Sequence, residues 1–209
     1  MIHAAQAVYV CVMDGMDKRT SDERLLDVVA SYEQKMGLKA TDPRNLRVCR
    51  PKKGKPYFPD CPERHFSVSH SGSYWTCAIA ECEVGLDLQE HVMLKNETEE
   101  EAAQRFLKMA RRFFHPEEAL FVERNRYQNF FAVWSAREAY VKYTGQGIDA
   151  SFSEHCVVPK REQWECMEGS ADESSWVAQG VCFWNRAYDT RYTMCVCTGD
   201  ERPVIVETI

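Results

Sequence analysis

The segment that most constrains this chain runs from Asn125 to Tyr143. It is the longest stretch with helical apolar spacing, and Gly145 and Gly147 close it. Its second half reads Trp134-Ser135-Ala136-Arg137-Glu138-Ala139-Tyr140-Val141-Lys142, which sets a carboxylate beside an arginine and four residues ahead of a lysine. Charges of both signs on one helix stripe usually mark a solvated face. Phe130, Phe131, Val133, Trp134 and Val141 are interleaved with these charges, so part of the charged set is expected to face inward or line a cleft. A helix of this kind needs a sheet or a second helix to cover its apolar side.

The rest of the chain supplies both. Residues 6–13 read as a buried strand. Ser21-Asp22-Glu23 offers a cap for a helix over Arg24 to Lys35, which Gly37 ends. Asn45 to Arg50 is a possible strand, and Pro51 to Pro62 a loop punctuated by Gly54, Pro56 and Pro59. His65 to His70, Tyr74 to Glu81 and Val84 to Gln89 read as an antiparallel meander, with turns at Ser71-Gly72-Ser73 and Glu81-Cys82-Glu83. A polar helix over Glu97 to Met109 follows, then a second that Pro116 opens and that runs through Phe121. Beyond the long helix, Phe152 to Val158, Ser175 to Asn185 and Arg191 to Thr198 are strand-like, the last two an antiparallel pair joined near Ala187 to Thr190. This order predicts an α+β protein of two similar lobes, residues 1–89 and 90–209, meeting near residues 88–92. A site at that junction would bring Asp87 to Glu138.

Composition narrows the function classes. Apolar residues make up 44% and charged residues 28%, the balance of a soluble globular chain without a membrane span. The run Ala4 to Met13 has no basic segment ahead of it and reads as a strand, not a signal peptide. Ten cysteines show no CxxC spacing, and several sit in apolar runs; they read as small buried hydrophobes in a reducing cytoplasm. The net charge of −6 makes no case for nucleic acid. Basic residues do gather locally: Arg44, Arg47, Arg50, Lys52, Lys53 and Lys55 surround one glycine-proline turn, either as a solvated loop or as a phosphate-binding patch.

Two constellations carry chemistry. Asp87 and Gln89 share one face of a strand end, with Glu90 on the other. Asp87 and Glu138 together form a pair suited to magnesium, which takes one or two carboxylates plus waters and substrate phosphates; a cap and a surface ion pair is the plainer reading of the same spacing. Ser69-His70-Ser71-Gly72 ends an alternating run in a small polar turn, the kind of place where hydroxyls, backbone N–H groups and an imidazole hold a phosphate. No GxSxG, GxxxxGK[ST] or GxGxxG pattern occurs.

As a set these pieces match a family. Gly54-Lys55-Pro56-Tyr57-Phe58, His65-Phe66-Ser67-Val68-Ser69-His70-Ser71-Gly72, Val84-Gly85-Leu86-Asp87-Leu88, Phe113-Phe114-His115-Pro116-Glu117-Glu118, the Trp134–Lys142 segment and Gly145-Gln146-Gly147 resemble, in order and spacing, the 4′-phosphopantetheinyl transferases of the surfactin-synthetase-activating type. The resemblance covers about residues 50–150. It implies a monomer of two lobes related by a pseudo-twofold axis, with coenzyme A at their junction. It implies transfer of 4′-phosphopantetheine from coenzyme A to a serine of an apo acyl or peptidyl carrier protein of a fatty-acid, polyketide or peptide synthase, releasing adenosine 3′,5′-bisphosphate. By position it implies Asp87 and Glu138 as magnesium ligands, Glu138 also as general base, and Lys142 on the pyrophosphate. Arg137 stands where the family usually has lysine. Ser69 and His70 resemble residues holding the 3′-phosphate or pyrophosphate, Lys55 and Pro56 the adenine-side loop, and Arg24 a 3′-phosphate contact. Where many relatives carry a third acid this chain has Gln89, leaving that position of the metal shell to an amide or a water. A magnesium-dependent phosphoesterase and an inactive coenzyme A- or carrier-binding module are the competing readings. Lys108, Arg111 and Arg112 with Phe113 and Phe114, or Arg124 and Arg126, are candidates for docking an acidic carrier.

Overall fold

The computed structural model describes residues 7–147, 154–168 and 173–209. Its elements are β1 (Val8–Asp14), α1 (Ser21–Met36), β2 (His65–Ser71), β3 (Tyr74–Ala80), β4 (Val84–Glu90), α2 (Glu99–Phe113), α3 (Pro116–Thr144), α4 (Glu165–Glu168), β5 (Glu173–Ala178), β6 (Val181–Tyr188), β7 (Tyr192–Thr198) and β8 (Val204–Thr208). They form an α+β fold of two four-stranded sheets, ordered β2-β3-β1-β8 and β4-β7-β6-β5. Neighbouring strands are antiparallel except β1 and β8, which are parallel.

Side-chain alternation builds four layers. Tyr9, Cys11 and Met13 of β1 pack with Leu25, Val28, Val29 and Tyr32 of α1. Val8, Val10 and Val12 point the other way and meet Leu86, Leu88, Met194 and Val196 between the sheets. The far face of the second sheet, with Phe183, Cys195 and Cys197, is covered by Phe130, Ala136 and Ala139 of α3 and Phe106 of α2. Strands buried on both faces read as continuous apolar runs, which is why β1 shows no alternation.

The helix starts follow local capping. Thr20 and Glu23 form a capping box on α1, one residue ahead of the expected cap, and Gly37 closes the helix at φ 65°. Thr98 and Glu101 cap α2. His115 caps α3, with Pro116 in the first turn.

Several expectations are corrected. Val84 to Gln89 does form a strand, but it does not continue the meander. Both edges of β3 are already taken, by β2 and β1, so β4 crosses to the second sheet and pairs with β7. The line at 89/90 therefore does not separate the sheets: β4 belongs to the second, and β8, which the pattern did not mark, joins the first beside β1. Asn45 to Arg50 is no strand; Pro43–Asn45 is a turn of 3-10 helix and only Cys49 makes a bridge, to Tyr57. Ser175 to Asn185 divides at Gln179-Gly180 into β5 and β6. Of the strand expected over Phe152 to Val158, residues 152 and 153 lie outside the described residues, and 154–158 are not extended into a sheet.

Helical backbone runs unbroken through α3 where the pattern marks two helices. The run is nonetheless sharply bent. Glu118 and Arg137, 19 positions apart, form an ion pair, whereas a straight helix would separate them by about 28 Å at 1.5 Å per residue. Asn129 Nδ2 donates to the Phe121 carbonyl at 2.9 Å. A side chain that captures a backbone carbonyl in this way is a cause of helix kinking.

Candidate active site at the junction of the two sheets

The outer edges of β2 and β4 meet at the junction, each the last strand of its own sheet. Serine hydroxyls replace a ladder between them. Ser67 Oγ accepts the Leu86 N–H at 3.0 Å, Ser69 Oγ the Leu88 N–H at 3.2 Å, and Ser71 Oγ the Glu90 N–H at 2.9 Å. Period two puts all three hydroxyls on one side of β2, and every other N–H of β4 finds its acceptor there.

Helix α3 lies across β4 because residue 85 is glycine. A Cβ on Gly85 would sit 1.9 Å from the Ala139 carbonyl oxygen and 2.6 Å from the Tyr143 nitrogen. The missing side chain lets helix and strand backbones touch. That contact brings Glu138 and Lys142, which immediately precede Ala139 and Tyr143 in the helix, down to Asp87.

Asp87 is 5% exposed. Its Oδ1 accepts from Ser69 Oγ at 2.9 Å and from Lys142 Nζ at 2.8 Å, and Lys142 Nζ also donates to Ser69 Oγ at 3.0 Å. Its Oδ2 is buried with no hydrogen-bond partner. Glu138 is half-buried, and its carboxyl is held above the usual range, first by burial and then by the charge of Asp87, against the opposing pull of Lys142 and Arg137. An unpartnered carboxylate oxygen next to a second strained acid is an oxygen site short of positive charge. Among the described residues no group of three or more His, Cys, Asp or Glu is arranged for a metal. Two carboxylates are nonetheless the usual protein share of a magnesium site, so the residues present fit that ion.

Gln89 spends its amide nitrogen on the Glu90 carbonyl at 3.0 Å. Glu90 points away, as its place on the strand requires. It faces Arg191 at 3.4 Å and lies against the β2–β3 turn, where a Cβ on Gly72 would come within 2.3 Å of Glu90 Oε2. Tyr192 OH accepts the Ser73 N–H at 3.1 Å in the same place, tying the two sheets together.

A cleft of about 790 Å³ opens beside this cluster, lined by Arg50, Lys52, Lys53, Lys55 and Lys142 with Ser21, Leu25, Pro56, Val68, Val141 and Gly147. Most of the basic cluster read from the sequence thus lines one wall; Arg44 does not, being paired with Asp42. Lys55 is partly committed. Its ammonium pairs with Glu83 and donates to the Val84 carbonyl at 2.9 Å, pinning the loop to the start of β4. Pro56 also lines an adjoining 380 Å³ pocket with Tyr57, Phe58, His65 and Gly145.

The structure therefore gathers Asp87, Glu138, Lys142 and Ser69, and sets Lys55 and Pro56 on the cleft wall. Two expected phosphate contacts are placed differently. Arg137 is 2% exposed and turned into the core, where it pairs with Glu118 and donates to the His155 carbonyl at 3.0 Å. Successive residues on a helix point about 100° apart, so Arg137 and Glu138 cannot share the cleft. Arg24 is buried, donates to the carbonyls of Gly15 and Asp17, and stands 5.7 Å over the Trp75 ring. His70 stands exposed on the α1 side of β2, the side on which Phe66 and Val68 line the cleft, whereas Ser69 faces β4. The alternation Ser67-x-Ser69-x-Ser71 is the sequence signal from which the junction could have been found, and Glu118 and Gly85 carried none of their own. Of the expected docking residues, Lys108, Arg112 and Phe113 line a 490 Å³ groove on α2, while Phe114 is buried, stacked 5.3 Å from Phe130. Arg111 pairs with Glu123 at 2.8 Å, Arg124 lies 5.7 Å over Trp164, and the Arg126 side chain is outside the described set.

Comparison with known proteins fits this geometry. The family model described as the 4′-phosphopantetheinyl transferase superfamily matches residues 83–197. A putative 4′-phosphopantetheinyl transferase of Synechocystis sp. is 32% identical over 143 residues, covering 64% of this chain and 54% of the relative. The 4′-phosphopantetheinyl transferase psf-1 of Bacillus pumilus is 29% identical over 160 residues, 75% of this chain and 61% of the relative. Sfp of Bacillus subtilis is 29% identical over 111 residues, 51% and 45%. The chain spans about half the length of the curated relatives it matches.

Proposed function

Because the chain belongs to the 4′-phosphopantetheinyl transferase superfamily, we propose that it moves 4′-phosphopantetheine from coenzyme A to a serine of an apo acyl or peptidyl carrier protein. The observation that carries this reading is the Asp87 carboxylate, buried with one oxygen unpartnered, set beside Glu138 and a cleft walled by lysines and arginine. Asp87 and Glu138 would hold Mg2+, which supplies positive charge to the pyrophosphate and its leaving group. Gln89 would offer its amide oxygen at the third place, or leave that place to water.

The chain's own residues do the rest. Lys52, Lys53 and Lys142 bind the phosphates of coenzyme A along the cleft wall, and Lys55 fixes the loop that carries them. Glu138, half-buried beside Asp87 at the junction, accepts the proton of the carrier serine. The serine oxygen bonds to the phosphorus of the phosphopantetheine phosphoryl group as the bond to the bridging oxygen breaks. Adenosine 3′,5′-bisphosphate leaves with that oxygen. One chain supplies both carboxylates, so a monomer suffices. Nine described cysteines are free thiols, which supports a reducing cytoplasm as the site of action. No helix among the described residues is long and apolar enough to cross a membrane.

The test is mass spectrometry of apo acyl and peptidyl carriers incubated with coenzyme A and magnesium. One phosphopantetheinyl group is expected on the carrier serine, and none with Glu138→Ala. Coenzyme A binding without transfer to any carrier would replace this reading with a binding module. Release of phosphate without transfer would replace it with a phosphoesterase.

A further inference from the structure

We propose that Tyr192 of β7 is a positioning residue for the phosphate-donor end of the cleft, and that it acts through the β2–β3 turn on His70. The inference deepens the coenzyme A reading above and rests on it.

The site is assembled from two sheets, so the spacing of those sheets is part of the site. Asp87 lies on β4 and Lys142 on α3, which covers the second sheet. His70 lies on β2, the edge strand of the first sheet. Backbone pairing holds β2 from the β3 side and ends at the pair Ser71 and Tyr74. Ser71 Oγ, accepting the Glu90 N–H, is the last hydroxyl bridge from β2 to β4. Past it lies a turn of two residues, Gly72 and Ser73.

Both backbone polar groups of Ser73 are taken, one by each half of the molecule. Its carbonyl accepts the Gly15 N–H at 2.8 Å, just past the end of β1. Its N–H donates to Tyr192 OH at 3.1 Å. Tyr192 is 1% exposed, and its ring packs edge-on against Tyr74 at 5.0 Å, so the hydroxyl is held in place. Glycine at 72 makes the contact possible: a Cβ there, at φ 51°, would come within 2.4 Å of that hydroxyl.

The turn stands at the cleft. His70 is two residues ahead of Gly72 and exposed, and its strand partner Trp75 donates to Ser21 Oγ on the cleft wall at 3.1 Å. Anchoring the turn to β7 therefore sets how far an imidazole on β2 lies from the Lys142 ammonium. Without the Tyr192 hydroxyl, Ser73 keeps only its tether to the first sheet, and coenzyme A has to order the turn as it binds.

The fold supplies its own control. Tyr188, on the neighbouring strand β6, packs edge-on against the same Tyr74 ring at 5.3 Å. Its hydroxyl meets Thr208 Oγ1 of β8 at 3.0 Å, away from the turn. Each Tyr→Phe change removes one oxygen and one tie between the two sheets. A purely architectural role would make the two variants behave alike toward coenzyme A.

The experiment is calorimetric titration of the full chain with coenzyme A in the presence of magnesium, without carrier. Tyr192→Phe is expected to weaken coenzyme A about 3- to 10-fold, the worth of one neutral hydrogen bond, and Tyr188→Phe to leave it within about twofold. In a His70→Ala background, Tyr192→Phe is expected to change the affinity by less than about twofold, because two residues that act through one another do not add. If Tyr192→Phe fails to fold, Gly72→Ala, which pushes the turn off the hydroxyl, is expected to show the same His70-dependent loss. A Tyr192→Phe chain with a lower melting temperature and unchanged coenzyme A affinity overturns the proposal and leaves the coenzyme A reading standing. An equal loss in Tyr188→Phe, or the full loss persisting without His70, also overturns it, in favour of a tie between sheets that does not act on His70. A wild-type chain that binds no coenzyme A overturns the reading on which the proposal rests.

Discussion

Helix α3 carries two acid–base groups that differ in what they leave undone. In the first, Glu118 is fully buried and both its oxygens are used. Oε1 accepts the Val157 N–H at 2.8 Å, and Oε2 accepts the His115 N–H at 2.9 Å together with Arg137. In the second, Asp87 is nearly as buried, but Oδ1 takes two donors and Oδ2 takes none, and the Glu138 carboxyl beside it is, like that of Glu118, held above the ordinary range first by burial. A buried acid with both oxygens partnered fixes architecture, here the fold-back of α3 onto the 155–157 loop. A buried acid left short of donors keeps an unspent attraction for a cation. Arg137 and Glu138 are chain neighbours, and the rotation of about 100° between successive helix residues assigns them to different groups.

The sharpest way to break the comparison is to remove the arginine. Arg137→Ala leaves Glu118 buried without its cation and is expected to cost about 3–5 kcal/mol, read from urea unfolding. Arg137→Met combined with Glu118→Leu should recover most of that loss, since an apolar pair of similar volume often replaces a buried ion pair at little cost. Among molecules that remain folded, coenzyme A affinity should be unchanged in both variants. A marked loss of affinity in the stable double variant would return Arg137 to the phosphate site.

A smaller effect tests how the second group is assembled. Gly85→Ala would drive a methyl into the backbone of α3, and overpacking of this kind costs about 1–3 kcal/mol. Its effect on transfer should be disproportionate, because the displaced segment carries Glu138 and Lys142 and a misplacement of about 1 Å can cost on the order of 10²-fold. Thermal unfolding and transfer rate measured on the same preparation separate the two. A rate that falls no further than the folded fraction would show that helix–strand contact does not set the site.

How much of this was legible in the sequence depended on whether a residue's role was set locally. The α1 helix, the β2–β3 hairpin and the pairing of Asp87 with Glu138 follow from period, turns and motif spacing. The destination of β4 does not, because it depends on β1 having already taken the free edge of β3, a contact far away in the chain. β8 was missed for a similar reason: Val204–Thr208 is short, half-exposed, and a strand only because β1 offers it an edge. The role of Arg137 was misassigned because a motif gives residue order but not helix rotation, and its partner Glu118 reaches it only through a bend that Asn129 helps to make. Ser69 was found for its position in the motif, yet its hydroxyl turned out to serve a neighbouring acid.

The smallest expected effect gives the cleanest sign. A carboxyl whose folded pKa lies above its unfolded one binds its proton more tightly in the folded state. Its ionisation therefore subtracts from stability as pH rises through the folded pKa, and contributes no such loss at pH values below the unfolded one. Glu138 is such a group. Glu138→Gln should then raise the melting temperature of the metal-free protein by about 2 °C or less at neutral pH, with the difference shrinking toward zero as pH falls to about 4. Millimolar magnesium should reverse the order, because a ligand stabilises only the state that binds it, and the glutamine variant has lost one of the two carboxylates. The Glu118–Arg137 group sets the contrast, since its acid already has its cation and magnesium should change nothing there. A Glu138→Gln difference that is constant from pH 4 to 8 would mean that burial and the charge of Asp87 do not raise the Glu138 carboxyl, and one unmoved by magnesium would mean that the two acids do not form one site.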